Sequence, residues 1–182
     1  MKQFIRSAAT MLLLSVGCIS AFSQPGFNRL IKDLAGRSDV VLLGSPMSVH
    51  SKWSADRKTI RSFTRIEVKQ LLKGAPDTSA IFVEQLGGRV DNIDFKVDHQ
   101  LRFRKGVVVL LFLKASPEGT PNSYWILNPG GKFDCDTVKN SGQSRVILFH
   151  DEGDEALTEK YRTDYPLDLE AVKNEIRQVI FH

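Results

Sequence analysis

The sequence predicts a mainly β domain, in which five strands form a small closed barrel or a sandwich with a helix at each end. Three observations carry that expectation. Five short apolar or alternating segments are separated by Gly- and Pro-rich turn signals. Residues 107–113, Val-Val-Val-Leu-Leu-Phe-Leu, are apolar at every position, as a strand covered on both faces would be. Stripes of apolar residues at helical spacing lie near each end of the chain.

Phe27, Leu30, Ile31 and Leu34 stand at i, i+3, i+4 and i+7 and predict a short helix, with Gly36 as its stop. Val40-Val41-Leu42-Leu43 is the first strand; Gly44 and Pro46 punctuate it, and Met47 and Val49 extend it past a bulge. Residues 53–58 are polar and read as a loop. From residue 60 to 69 the pattern alternates, with Thr64, Ile66 and Val68 on one face and Phe63, Arg65, Glu67 and Lys69 on the other, which is a half-buried strand. Residues 80–86, rich in β-formers, are the third strand, ended by Gly87-Gly88. Residues 89–105 show no period. The apolar run 107–113 is the fourth strand, and Tyr124-Trp125-Ile126-Leu127, closed by Pro129-Gly130-Gly131, is the fifth. Residues 145–149 suggest a short extra strand and residues 151–155 an acidic loop. Leu169, Val172, Ile176, Val179 and Ile180 share a helical face, with Asp168 placed to cap that helix.

Residues 1–23 read as a secretory signal. Lys2 and Arg6 form a positive n-region, an apolar stretch centred on Met11-Leu12-Leu13-Leu14 follows, and Ala21-Phe22-Ser23 is a small-x-small cleavage site. A membrane anchor is a poorer reading, because the stretch is short and ends in Ser23-Gln24-Pro25-Gly26. Lipidation at Cys18 is poorer too, since Ser15-Val16-Gly17 lacks the usual Leu before the Cys. The expected product is a single domain over residues 24–182, periplasmic or secreted. Cleavage would take the net charge of the 182-residue chain from +4 to +2, which is no footprint for nucleic acid. It would also leave Cys135 alone, so the domain must be held by its core, which roughly 160 residues can supply.

Several segments together resemble a known family. They are Asp39-Val40-Val41-Leu42-Leu43-Gly44, Glu67-Val68-Lys69-Gln70-Leu71-Leu72-Lys73-Gly74, Gly87-Gly88-Arg89-Val90, Phe103-Arg104-Lys105-Gly106 leading into Val109-Leu110-Leu111-Phe112-Leu113, and Gly131-Lys132-Phe133. Over residues 38–136 they resemble exported bacterial proteins that are similar to the tissue inhibitors of metalloproteinases and the netrin-like modules. The resemblance implies a five-stranded, antiparallel OB-type barrel flanked by an N-terminal and a C-terminal helix. In the animal inhibitors an N-terminal cysteine chelates the protease zinc. Here the expected mature end is Gln24 and Ser38-Asp39 precedes the first strand, so that mechanism does not carry over.

No catalytic constellation is legible, and no catalytic, cofactor-binding or metal residues are expected. His50, His99, His150 and His182 are the only imidazoles, and none has zinc-site spacing. Asp91, Asp94, Asp98 and His99 are the best metal candidates, but they match no calcium loop and read as a solvated segment, as does Asp151-Glu152-Gly153-Asp154-Glu155. Cys135 sits between Asp134 and Asp136, whose charges disfavour a thiolate. Arg61, Phe63, Arg65 and Lys69, and Arg102, Phe103 and Arg104, would stand on barrel faces of the kind that bind oligonucleotides or sugars. Trp53, in a polar loop, is the natural interaction anchor. The expectation is therefore a monomeric, non-enzymatic binding module, not embedded in the membrane once the signal is gone. Its partner would be another exported protein, a protease or a surface protein, bound through Trp53, Gly87, Gly88, Arg89, Phe63 and Arg65. A barrel binding a small molecule or glycan is the alternative, and an enzyme of unknown class the remote one.

Overall fold

The computed structural model describes residues 25–98, 100–117, 120–127, 130–140, 143–150 and 167–181. The predicted signal at residues 1–23, His99, the acidic run 151–155 and His182 lie outside the described residues. Within them the chain is mainly β, with a helix at each end: α1 (Pro25–Arg37), β1 (Val40–Trp53), β2 (Ile60–Lys73), β3 (Ala80–Leu86), β4 (Gly88–Val90), β5 (Ile93–Phe95), β6 (Val109–Ala115), β7 (Ser123–Ile126), β8 (Lys132–Asn140), β9 (Gln143–His150), β10 (Leu167–Asp168) and α2 (Leu169–Ile180).

Five strands form a hydrogen-bonded ring in the order β1-β2-β3-β7-β6, and β6 returns to β1 through Val40↔Leu113 to Gly44↔Val109. All its pairings are antiparallel except β3–β7, which is parallel through Phe82↔Ser123 to Glu84↔Trp125. This corrects the all-antiparallel expectation. β7 runs antiparallel to β6, with Ser116 N donating to Ser123 O where the two strands meet, and the edge of β3 left for it runs the same way. β8, β9 and β10 continue the sheet from β6 outside the ring.

Successive residues of a strand face opposite sides, so the ring strands feed two cores. Val40, Leu42, Ile66, Ile81, Val83, Val109, Leu111, Leu113 and Ile126 fill the ring interior, with all five strands contributing. Val41, Leu43, Leu110, Phe112 and Phe133 face outward, where α1 (Ile31, Leu34, Ala35) and α2 (Leu169, Val172, Ile176) cover them. β6 serves both cores, and its first five residues, Val109 to Leu113, are each fully buried. The apolar run was thus read correctly as doubly covered, but the strand starts two residues later, at Val109.

Other boundaries moved for local reasons. α1 begins at Pro25, whose fixed φ and missing N–H suit a first helical turn. It ends at Arg37 rather than Gly36, because Ser38 turns back to bond the Leu34 carbonyl through both its N–H and its hydroxyl. The Asp168 cap is present, its carboxylate accepting from Glu170 N at 3.0 Å and Ala171 N at 3.1 Å. The irregular stretch holds the small β4–β5 hairpin. β8 was missed as a strand because two of its ring-facing positions are charged. Lys132, 0% exposed at its side chain, pairs with Asp134 at 2.6 Å, and Arg104 bonds the same carboxylate at 2.9 Å. Leu101 and Phe103 close one mouth of the ring, pinned where the Gln85 amide both donates to Leu101 O (3.2 Å) and accepts from Leu101 N (3.1 Å).

β1 leaves the ring at Gly44, where its register against β2 shifts. A Cβ there would lie 2.4 Å from Ile66 Cγ2 and 2.9 Å from the Glu67 carbonyl. Gly44→Ala should lower stability by about 1–3 kcal/mol, the usual cost of overpacking a tight site. Denaturant unfolding of the two proteins measures it, and a smaller loss would mean the β1–β2 crossing yields easily.

Candidate functional site

The outward side of β1, β2, β3 and β7, away from the helices, is a grid of polar and aromatic side chains. Its rows follow from the pairings. One row runs Ser48–Arg65–Phe82–Ser123; the next runs His50–Phe63–Glu84–Trp125 and reaches Lys114 on β6; a third runs Lys52–Arg61–Leu86. Such lateral neighbours are the units of contact in a sheet.

At the centre of the grid is Glu84, whose carboxylate is nearly inaccessible although it faces outward. Arg61 Nη1 donates to it at 2.5 Å and Ser116 Oγ at 2.9 Å, and the Arg61 guanidinium lies over the Trp125 ring at 5.5 Å. Burial alone raises the Glu84 pKa. The hydrogen bonds of Arg61 and Ser116 outweigh it, and the carboxyl sits below the ordinary glutamate range. Beside this network His50 stacks on Phe63 at 5.3 Å and meets Phe82 edge-on at 5.9 Å, while Lys52 Nζ sits 4.5 Å over the Phe63 ring. At the far side of the grid Asp39 accepts from Lys114 Nζ (2.7 Å) and Ala115 N (2.9 Å); these bonds lower its pKa and tie the start of β1 to the end of β6.

The six predicted surface residues fall in two places. Trp53, Gly87, Gly88 and Arg89 gather at the turn end of the β1–β2 hairpin. Trp53 is the last residue of β1, opposite Ile60, and is half-buried rather than at a loop tip. Gly87 N donates to Ile60 O at 2.8 Å. Gly88, at φ +136°, passes so close that a Cβ would stand 2.4 Å from Ser51 Oγ, an approach that needs glycine twice over. Arg89 is exposed on β4. Phe63 and Arg65 lie farther along the outer face. Arg65 is exposed, but Phe63 is 5% exposed beneath His50 and Lys52, so it supports the surface instead of presenting it.

The remaining candidates scatter. Asp91 holds a left-handed turn residue at φ 52°, Asp94 sits across from Arg89 on β5, and Asp98 is exposed. Among the described residues no three His, Cys, Asp or Glu side chains gather as metal ligands. Lys69 pairs with Glu67 at 2.9 Å, and Arg104 and Phe103 are engaged at the mouth of the ring. His150 lies on β9 opposite Phe133. Cys135 packs against the helix-side core. Burial first, and the Asp134 charge second, push its thiol up to about 12. Glu84, Ser116 and Trp125 were not singled out from the sequence, since a lone Glu among β-formers carries no sign of whether it is solvated or paired. No family model and no curated protein matches the chain.

Two expectations follow. Because the folded Glu84 pKa lies below its ordinary 4.5, the stability it contributes is complete above that value and is lost as pH falls through the folded one. Glu84→Gln, which removes the carboxylate charge beside the covered Arg61 guanidinium, should cost about 3 kcal/mol at pH 7 and flatten that acid loss; pH-dependent unfolding of both proteins measures it. Cys135 should resist alkylation at neutral pH until the protein unfolds, because a thiol titrating near 12 carries almost no thiolate. Rapid labelling of the native protein would contradict this.

Proposed function

We propose that the chain is an exported, non-enzymatic protein-binding module built on an OB-type barrel, similar to the netrin-like and metalloproteinase-inhibitor-like proteins. The order β1-β2-β3-β7-β6 with return to β1 supports the barrel reading, since it closes five strands through two non-sequential pairings, one of them parallel, as a Greek-key barrel does. One observation carries the binding reading. Beside Gly87-Gly88 the chain leaves Leu86 (41%), Ile93 (53%) and Phe95 (36%) open to solvent on β3 and β5, next to the hairpin end where Trp53 stands. Apolar side chains grouped on a small exposed hairpin are what a protein partner covers. The ring interior is already filled by its own side chains, and the Glu84 carboxylate is consumed by Arg61 and Ser116.

Contact with a protease, if it is the partner, runs through this hairpin end and not through zinc chelation, because α1 occupies residues 25–37 and packs Ile31 and Leu34 into the core. The test is reconstitution of a one-to-one complex with a partner captured from the exported fraction, using wild type, Trp53→Ala and Ile93→Asp. Each substitution should weaken the complex by about tenfold or more, since central apolar anchors contribute about 2 kcal/mol or more. Equal binding by all three would reject this surface. A retained sugar with no protein would favour the glycan-binding barrel.

A further inference from the structure

Among the described residues the β1–β2 hairpin leaves one backbone edge open. β1 pairs with β2 along its length to Trp53, but on its other side β6 pairs only Val40 to Gly44. Beyond Gly44 no strand among the described residues pairs with that edge. Pro46 and the bulge that sets Met47 out of register protect its beginning in the usual way of edge strands. Residues 48–50 carry no such protection. β4 approaches at Ser51, on the ring-facing side. A row of backbone N–H and C=O groups at strand spacing is matched by one kind of partner, an extended chain.

The side chains along the edge say more about that chain. On the ring-facing side Val49, opposite Thr64, is 57% exposed, and the neighbouring bulged Met47 is 42% exposed. On the outer side stand Ser48, His50 and Lys52, with Arg65 one strand in. Lys52 and Arg65 are exposed and make no ion pair among the described residues. The hairpin as a whole, residues 45–73, carries seven Lys and Arg against two Asp and Glu.

We infer that an extended acidic segment of a partner protein adds to β1 as a further strand over residues 48–52. Its apolar side chains cover Val49, and its alternate, acidic side chains lie beside His50 and Lys52. This rests on the protein-binding reading and gives the partner's chemistry. A second copy of the chain fits less well, because edge-to-edge pairing would join two basic hairpins, seven Lys and Arg against two Asp and Glu in each.

The probe is a capped synthetic peptide of alternating Glu and Val, tested on the full chain by fluorescence anisotropy and by amide hydrogen exchange. Its controls are alternating Lys and Val, and the same Glu/Val composition in two blocks. The alternating acidic peptide should bind, slow exchange at residues 48–52, and lose about tenfold in affinity with Lys52→Glu and with Val49→Glu, a change of about 1.4 kcal/mol each. Val49 is more than half exposed, so its variant keeps the fold even where Lys52→Glu disturbs Phe63. Absence of binding, binding without protection of those amides, equal binding of the block peptide, or self-association through the edge would each overturn the inference. A natural partner held equally by wild type and Val49→Glu, but lost in Ile93→Asp, would overturn the edge and leave the hairpin-end reading standing.

Discussion

Over Val109 to Leu113 β6 is hydrogen-bonded on both edges and buried on both faces, and the rest of the molecule is arranged to make that possible. On one edge β1 runs alongside it; on the other β7 and then β8 do. Its residues alternate between the ring interior and the layer under the helices, so neither side can be polar. Burying side chains of this size contributes about 1.5–3 kcal/mol apiece. With no disulfide among the described residues, the two cores that meet at β6 must hold the domain. The helices are needed for the same reason. Without α1 and α2, Leu110, Phe112 and Phe133 would lie in water.

Closing the ring constrains β1 as well. It must serve β6 at its start and β2 throughout, and the two demands diverge at Gly44. There the absence of a Cβ lets β2 come within contact of the β1 backbone. Past that point β1 is an arm, paired among the described residues on one side only. The one-sided pairing of β1 past Gly44 among the described residues therefore follows from how the ring is closed. Asp39, bonded to Lys114 and the Ala115 amide, holds the other end of β1 in register.

Charged groups in the interior are handled by pairing rather than by exposure. Glu84 with Arg61, and Lys132 with Asp134, each place ions where water is scarce, beside an aromatic face, and the largely exposed Arg104 reaches the Asp134 carboxylate from outside. Such pairs contribute little net stability against an apolar replacement, but losing one partner is costly. Their value lies in register: a strand slipped by one residue would put a bare charge into a core. Glu84, Arg61, Lys132 and Asp134 are thereby occupied in holding strands together.

Much of the fold was legible from residue order alone. The alternation of residues 60–69, the apolar run into β6, the stripes of both helices and the Asp168 cap are local patterns, set by the period of a strand or a helix and by one side chain reaching its neighbours' amides. Burial of the fourth strand on both faces was legible for the same reason. What local pattern does not contain is which strand lies beside which. The parallel β3–β7 pair, the covering of Phe63 by His50 and Lys52, and the meeting of Glu84 with Arg61 and Ser116 all join residues distant along the chain. β8 escaped notice because Lys132 and Asp134 look solvent-facing until Arg104 and Phe103 fold over them. The surface residues split on the same line. Gly87 and Gly88 announce a turn by composition, but only the packed hairpin decides that Trp53 joins them, that Phe63 is withdrawn, and that the far part of β1 pairs, among the described residues, with β2 alone.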